Sequence, residues 1–302
     1  MLREKKMSHL PIILVTNNHV ATSLRAEAQA LAIGQKLNRK IVSLSLGKQA
    51  CKKLAFPISA LKMQKINGRI AQFWRLLKTN FDAVGFTKTI ARLDAHFLII
   101  SIPSGNFLSK IFHGYRVANI ARLATCPVLI VKKKMNNSYR KVLIATDFSI
   151  ASKSSALAAL SFACEAEFSA VHAYTLPNER LMHELGLRPK VIKRYHSEVA
   201  DRATQNLAHF VGSLQSAVAF ENYIVHGAVL STIRTYASWI DADLIVIGKS
   251  AGVDLWSLLT RCLVRQLLQK TRCDVLVAPA TNFDNSAGQG SVVAKEKHVA
   301  HL

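Results

Sequence analysis

The sequence predicts an α/β fold built as two tandem, doubly wound domains, each with a five-stranded parallel sheet. Three observations carry that expectation. Short Val- and Ile-rich runs such as LIVIG at 244–248 and DVLVAP at 274–279 are separated by a helical stretch, which is the β-loop-α-β order of a sheet buried on both faces. LDAHFLIIS at 93–101 aligns with IDADLIVIG at 240–248, and TCPVLIVK at 125–132 with RCDVLVAP at 272–279, both at an offset of 147 residues. IILVTN at 12–17 aligns with VLIATD at 142–147 at an offset of 130, so the chain reads as two copies of one unit, the second with roughly seventeen extra residues in its middle.

The expected domains are 1–138 and 139–280, joined through the exposed connector KKKMNNSYR at 132–140 and followed by a Gly-, Asn- and Ser-rich tail, 281–302, expected to be disordered. In the first copy a basic leader precedes a strand at 11–17, a helix at about 19–37 and a strand at 40–46. Lys62 to Lys78 reads as an amphipathic helix, with Met63, Ile66, Ile70, Phe73, Trp74 and Leu77 on one face and Lys62, Lys65, Arg69, Arg75 and Lys78 flanking it. A weak strand at 82–86, a short helix and the 94–132 unit close this copy. The second copy reads as strand 141–146, helix 151–166 opened by the Ser149/Ser152 cap, strand 169–174, loop 175–188, helix 189–214 and strand 218–225. Helix 228–239, strand 243–247, helix 256–270 and strand 274–278 complete it, and right-handed crossovers make such a sheet doubly wound and Rossmann-like.

Charge is shared unevenly: 23 of the 40 Lys and Arg but 4 of the 18 Asp and Glu lie in residues 1–138, giving that segment +19 and the remainder +3. Such a surface suits a polyanion, nucleic acid or anionic membrane, with Lys62, Lys65, Arg69, Arg75 and Lys78 as contacts; a helix of this kind also serves simply to cover one side of a sheet. No apolar run approaches the roughly 18 residues of a membrane span, and the expectation is a cytoplasmic chain. Cys51, Cys126, Cys164, Cys262 and Cys273 are an odd set without a C-x-x-C pair, which reads as reduced, mostly buried thiols rather than a disulfide framework or a zinc site.

VLIATDFS at 142–149, the DADLIVIG strand and the closing helix with CDVLVAP resemble the universal stress protein family in its tandem form, over nearly the whole chain. The resemblance implies an open α/β sheet, self-association through the edge strand that ends each domain, and a role in stress response. In the family's nucleotide-binding members an Asp ends the first strand, and G-x-x-G, nine residues, then G and S or T follow the fourth. The glycines let the backbone approach the triphosphate and the hydroxyl donates to it. The second copy has Asp147 and Gly248 at these places but Ala251, Arg261 and Cys262 at the rest; the first has Asn17, Ser101, Ser104, Gly114 and Tyr115. Cβ atoms at Ala251 and Arg261 occupy room a phosphate would need, and Pro103 removes a backbone donor.

The reading is therefore a tandem universal stress protein with a degenerate site, no cofactor and no catalysis, acting through dimerisation or a partner. Two others are carried beside it: an adenine-nucleotide-responsive binder holding ATP in the second copy through Asp147, Gly248 and Arg261, whose guanidinium suits phosphate oxygens, and a polyanion binder using the basic first copy. Asp147 as a base with His172, His226 or Cys262 reproduces no nucleophile elbow or metal-ligand spacing. His183, His196 and His209 recur every 13 residues, which on a helix puts the rings on differing faces and predicts no metal site.

Overall fold

The computed structural model describes residues 12–16, 20–39, 41–45, 87–88, 91, 95–102, 117–132, 138–176, 179–249 and 255–280. Nine strands within them form one sheet: β1 Ile12–Thr16, β2 Ile41–Ser45, β3 Phe97–Ser101, β4 Val128–Val131, β5 Lys141–Ala145, β6 Glu167–Tyr174, β7 Phe220–His226, β8 Leu244–Lys249 and β9 Asp274–Pro279. The helices are α1 Val20–Lys36, α2 Ile150–Phe162, α3 Glu179–Glu184, α4 Pro189–Ser213, α5 Val229–Trp239 and α6 Leu255–Lys270, and residues 117–123 are also helical.

Strand order is β2-β1-β3-β4-β9-β8-β5-β6-β7. From the β7 edge inward, the second half runs third, second, first, fourth, fifth, the order of a doubly wound unit with its switch point between β5 and β8. The pairing register repeats between the halves. Ile12 faces Phe97 as Val142 faces Leu244, and Leu98 faces Val128 as Ile245 faces Val275, which preserves both sequence offsets, 130 and 147. All neighbouring strands are parallel except β4 and β9, which run antiparallel with Val128 opposite Val277 and Ile130 opposite Val275. The expectation of two separate five-stranded sheets is corrected here: the described strands form one sheet of nine, because the two closing strands pair with each other.

Alternation along the strands divides the core into two layers. Phe97, Ile99, Leu129, Val142, Ile144, Leu244 and Val246 pack under α1, α2 and α4, whereas Leu98, Ile100, Val128, Leu143, Ile245 and Val275 pack under residues 117–124, α5 and α6. Where both faces are covered, in the central strands β3, β4, β8 and β9, nearly every residue is apolar, and each fully buried Leu, Ile or Phe contributes about 1.5–3 kcal/mol. The stretch 175–188, expected as loop, contains α3: Glu179 opens its first turn, and Gly186 ends it at φ 66°, a left-handed conformation glycine adopts freely. The expected Lys62–Lys78 helix, the strand at 82–86 and the tail 281–302 lie outside the described residues. Cys126 and Cys273 are buried thiols in no disulfide, as expected, while Cys164 is an exposed one. Among the described residues no helix is long and apolar enough to cross a membrane.

Candidate functional site

The carboxyl ends of β5 and β8 flank the switch point, where an open α/β sheet leaves its crevice. After β5 the chain turns through Thr146–Ser149 into α2. Asp147 makes this turn: its Oδ1 accepts from Ser149 N at 3.0 Å and from Ser152 Oγ at 2.6 Å. Ser149 caps the helix, its Oγ accepting from Ser152 N at 3.2 Å. Partial burial pushes the Asp147 carboxyl up, but the hydrogen bonds from Ser149 and Ser152 outweigh that and hold it below the usual carboxylate range.

Phe148 takes φ 65°, unusual for a bulky residue, and its ring stacks on His172 with centroids 4.2 Å apart. His172 Nδ1–H donates to Thr146 O at 2.8 Å, which orients the ring beneath the turn. Burial lowers the pKa of His172, against the opposing pull of that carbonyl and of Asp147. The site thus holds a neutral imidazole stacked under an aromatic ring and an ionised carboxylate already hydrogen-bonded to α2.

Gly248 sits opposite. A Cβ built on it would lie 2.3 Å from Ser152 N, 2.5 Å from Ala151 C and 2.7 Å from Ser152 Cα. The first turn of α2 can come this close because its inward residues are small: Ala151, Ser152, Ser154, Ser155, Ala158 and Ala159 are buried. Gly248 and Asp147, singled out separately in the sequence, therefore meet at one residue, Ser152. Arg261 lies in α6, but its side chain and residues 250–254 are outside the described residues. A 380 Å³ cavity opens nearby between α2 and α4, lined by Phe148, Ser149, Ile150, Lys153, His209 and Phe210 among others; neither Asp147 nor Gly248 lines it.

Of the other expected site residues, His226 and His196 are drawn together elsewhere. His196 Nε2 lies 2.9 Å from Glu179 Oε1, and His226 Nε2 lies 3.4 Å from Glu179 Oε2. These three could hold an ion, a different set from the His183, His196 and His209 weighed in the sequence; they come from α3, α4 and β7, so no spacing along one helix could reveal them. Lys62, Lys65, Arg69, Arg75 and Lys78 lie outside the described residues.

An open α/β sheet with a capped helix N-terminus at its switch point is the doubly wound α/β arrangement. Residues 138–279 match the model of the universal stress protein family. None of the curated proteins matches the chain. Among solved structures, a functionally unknown protein from Pseudomonas aeruginosa PAO1 is 19% identical, with TM-score 0.55, covering 91% of this chain and 94% of its own. A candidate universal stress protein from Pseudomonas aeruginosa UCBPP-PA14 is 20% identical, with TM-score 0.57 and coverages of 91% and 95%. A universal stress protein from Archaeoglobus fulgidus DSM 4304 is 13% identical, with TM-score 0.51 and coverages of 92% and 99%. At these identities the likeness is one of fold.

Proposed function

We propose that the chain is a tandem universal stress protein of the cytoplasm that works by association in a stress response, without catalysis and without a working ATP site. The tandem reading is supported by the register that repeats between the halves at both sequence offsets. The observation that carries the non-nucleotide reading is the convergence of Asp147 and Gly248 on Ser152. The carboxylate is engaged by Ser149 N and Ser152 Oγ, and the space a Cβ would take at Gly248 is filled by the backbone of α2. Both residues act in seating a helix on the sheet, a role that persists when the remaining phosphate positions read Ala251, Arg261 and Cys262.

Calorimetry with ATP and ADP on the full chain tests this. The expected result is no saturable heat in the micromolar range and no hydrolysis. A site with Kd below about 10 μM, roughly −7 kcal/mol, would overturn the reading and make Arg261 a phosphate ligand. The +19 carried by residues 1–138 favours one second reading, a polyanion-binding first half.

A further inference from the structure

Glu179, His196 and His226 stand on three different elements, α3, α4 and the end of β7, and their donor atoms all lie within 4.8 Å of one another. We propose that they form a binding site for a divalent first-row transition ion of the zinc class. The proposal does not depend on the nucleotide reading, since the cluster lies apart from the switch point.

Geometry is the first argument. Tetrahedral zinc with bonds of about 2.0–2.1 Å to nitrogen and oxygen sets neighbouring donors roughly 3.3 Å apart. Each imidazole nitrogen stands near that distance from one oxygen of the carboxylate, His196 Nε2 at 2.9 Å from Glu179 Oε1 and His226 Nε2 at 3.4 Å from Glu179 Oε2, and one donor atom from each residue lies within 4.8 Å of the others. The two imidazoles meet edge-on, with centroids 4.7 Å apart and planes at 82°. That arrangement brings both Nε2 atoms to the same carboxylate without stacking the rings.

Donor chemistry is the second. Two imidazoles and one carboxylate are a borderline set that suits zinc and its neighbours, whereas calcium and magnesium take oxygen donors. Three protein ligands leave one position for water or a further ligand, the count of an open zinc site. Exposure is the third: Glu179 and His196 side chains are about a third exposed and His226 slightly more, so an ion has a path in and loses part of its water on arrival. Tyr174 packs against His226 with ring centroids 5.4 Å apart, which backs one of the two imidazoles.

The alternative is a proton-held cluster in which both Nε2–H groups donate to Glu179. The full chain, stripped by a chelator and kept reduced, would be titrated with Co2+ and then Zn2+. One equivalent of Co2+ should give the intense visible bands of a four-coordinate site, and Zn2+ should abolish them. Glu179→Gln keeps size and a hydrogen-bond acceptor, and with His226→Gln it should weaken Zn2+ binding at least about 100-fold, ligand loss costing no less than loss of an outer-shell partner. Cys164→Ser and His209→Gln should leave it unchanged. Equal affinity in Glu179→Gln and the parent chain, or no saturable Zn2+ uptake by the parent below about 100 μM, near −5.5 kcal/mol, overturns the site. X-ray absorption on the unmodified chain loaded with one equivalent of Zn2+ needs no variant. Two imidazoles with oxygen is the expected shell, and thiolate donors, or oxygen alone, would refute it.

Discussion

Gly248→Ala separates the two roles a glycine can have at a strand end beside a helix. The added methyl carbon would lie 2.3 Å from Ser152 N and 2.5 Å from Ala151 C, both backbone atoms of the first turn of α2. Ordinary contacts begin near 3.4 Å, so the turn must withdraw by roughly 1 Å, and a helix pinned through its whole buried face cannot do so by rotating one side chain. Overpacking of this kind costs about 1–3 kcal/mol, and the backbone obstruction places this substitution near the top. The same movement strains the Ser149 cap and the Asp147 bond to Ser152 Oγ. The expected loss is about 3 kcal/mol, roughly a 100-fold change in the unfolding equilibrium. Urea unfolding of the full chain followed by circular dichroism, with ATP calorimetry on the same sample, reads both roles. The midpoint should fall, and ATP should give no saturable heat with either the variant or the parent. An unfolding free energy within about 0.5 kcal/mol of the parent's, the ordinary range for a surface substitution, would refute the close-packing argument.

Tyr139→Phe removes a buried hydroxyl that donates to Asp274 Oδ2 at 2.9 Å, and Asp274 is fully buried; the expected cost is about 2 kcal/mol, read as a lowered urea midpoint, and an unchanged midpoint would show that other partners carry the carboxylate. For the basic first half, heparin or nucleic-acid binding at low salt, roughly 50 mM, should weaken steeply as salt rises. Replacing Lys62, Lys65, Arg69, Arg75 and Lys78 with Gln should lower affinity and flatten the salt slope, while no retention of the parent chain at low salt would end the polyanion reading.

The central strands of the second half were legible in the sequence because a sheet covered on both faces leaves little choice but Val, Ile, Leu and Ala, as in LIVIG and DVLVAP. The offsets of 130 and 147 were legible too, and they reappear as the register that pairs Ile12 with Phe97 and Val142 with Leu244. The β4–β9 junction was not, since antiparallel pairing between two uniformly apolar strands leaves no local mark on either one. The helix Glu179–Glu184 was missed because a six-residue helix between two loops has too few turns to show a period. Gly248 was visible only as a glycine: its sequence does not say whether backbone or phosphate approaches it. The Glu179–His196–His226 cluster had no sequence signal, since it is assembled by strand order and by the crossing of α4 over β7.

The antiparallel junction bears directly on how this chain meets another. The resemblance offers the closing strands for self-association, but here β4 and β9 hold each other, and polar groups fix the contact. Asp274 accepts from Lys132 N at 2.7 Å and from Tyr139 Oη at 2.9 Å, and Lys132 Nζ donates to Thr271 O at 2.6 Å. Lys249, whose pKa is lowered to about 8 chiefly by burial, donates from β8 to Ala124 O across the same junction. A second chain could enter only by breaking the ladder and uncovering that buried carboxylate, each orphaned group costing about 1–3 kcal/mol. Among the described strands the sheet ends at β2 and β7, so pairing by strand addition falls to those edges. The contact the resemblance assigns to two molecules is made within this one, and it is the reason nine strands form a single sheet.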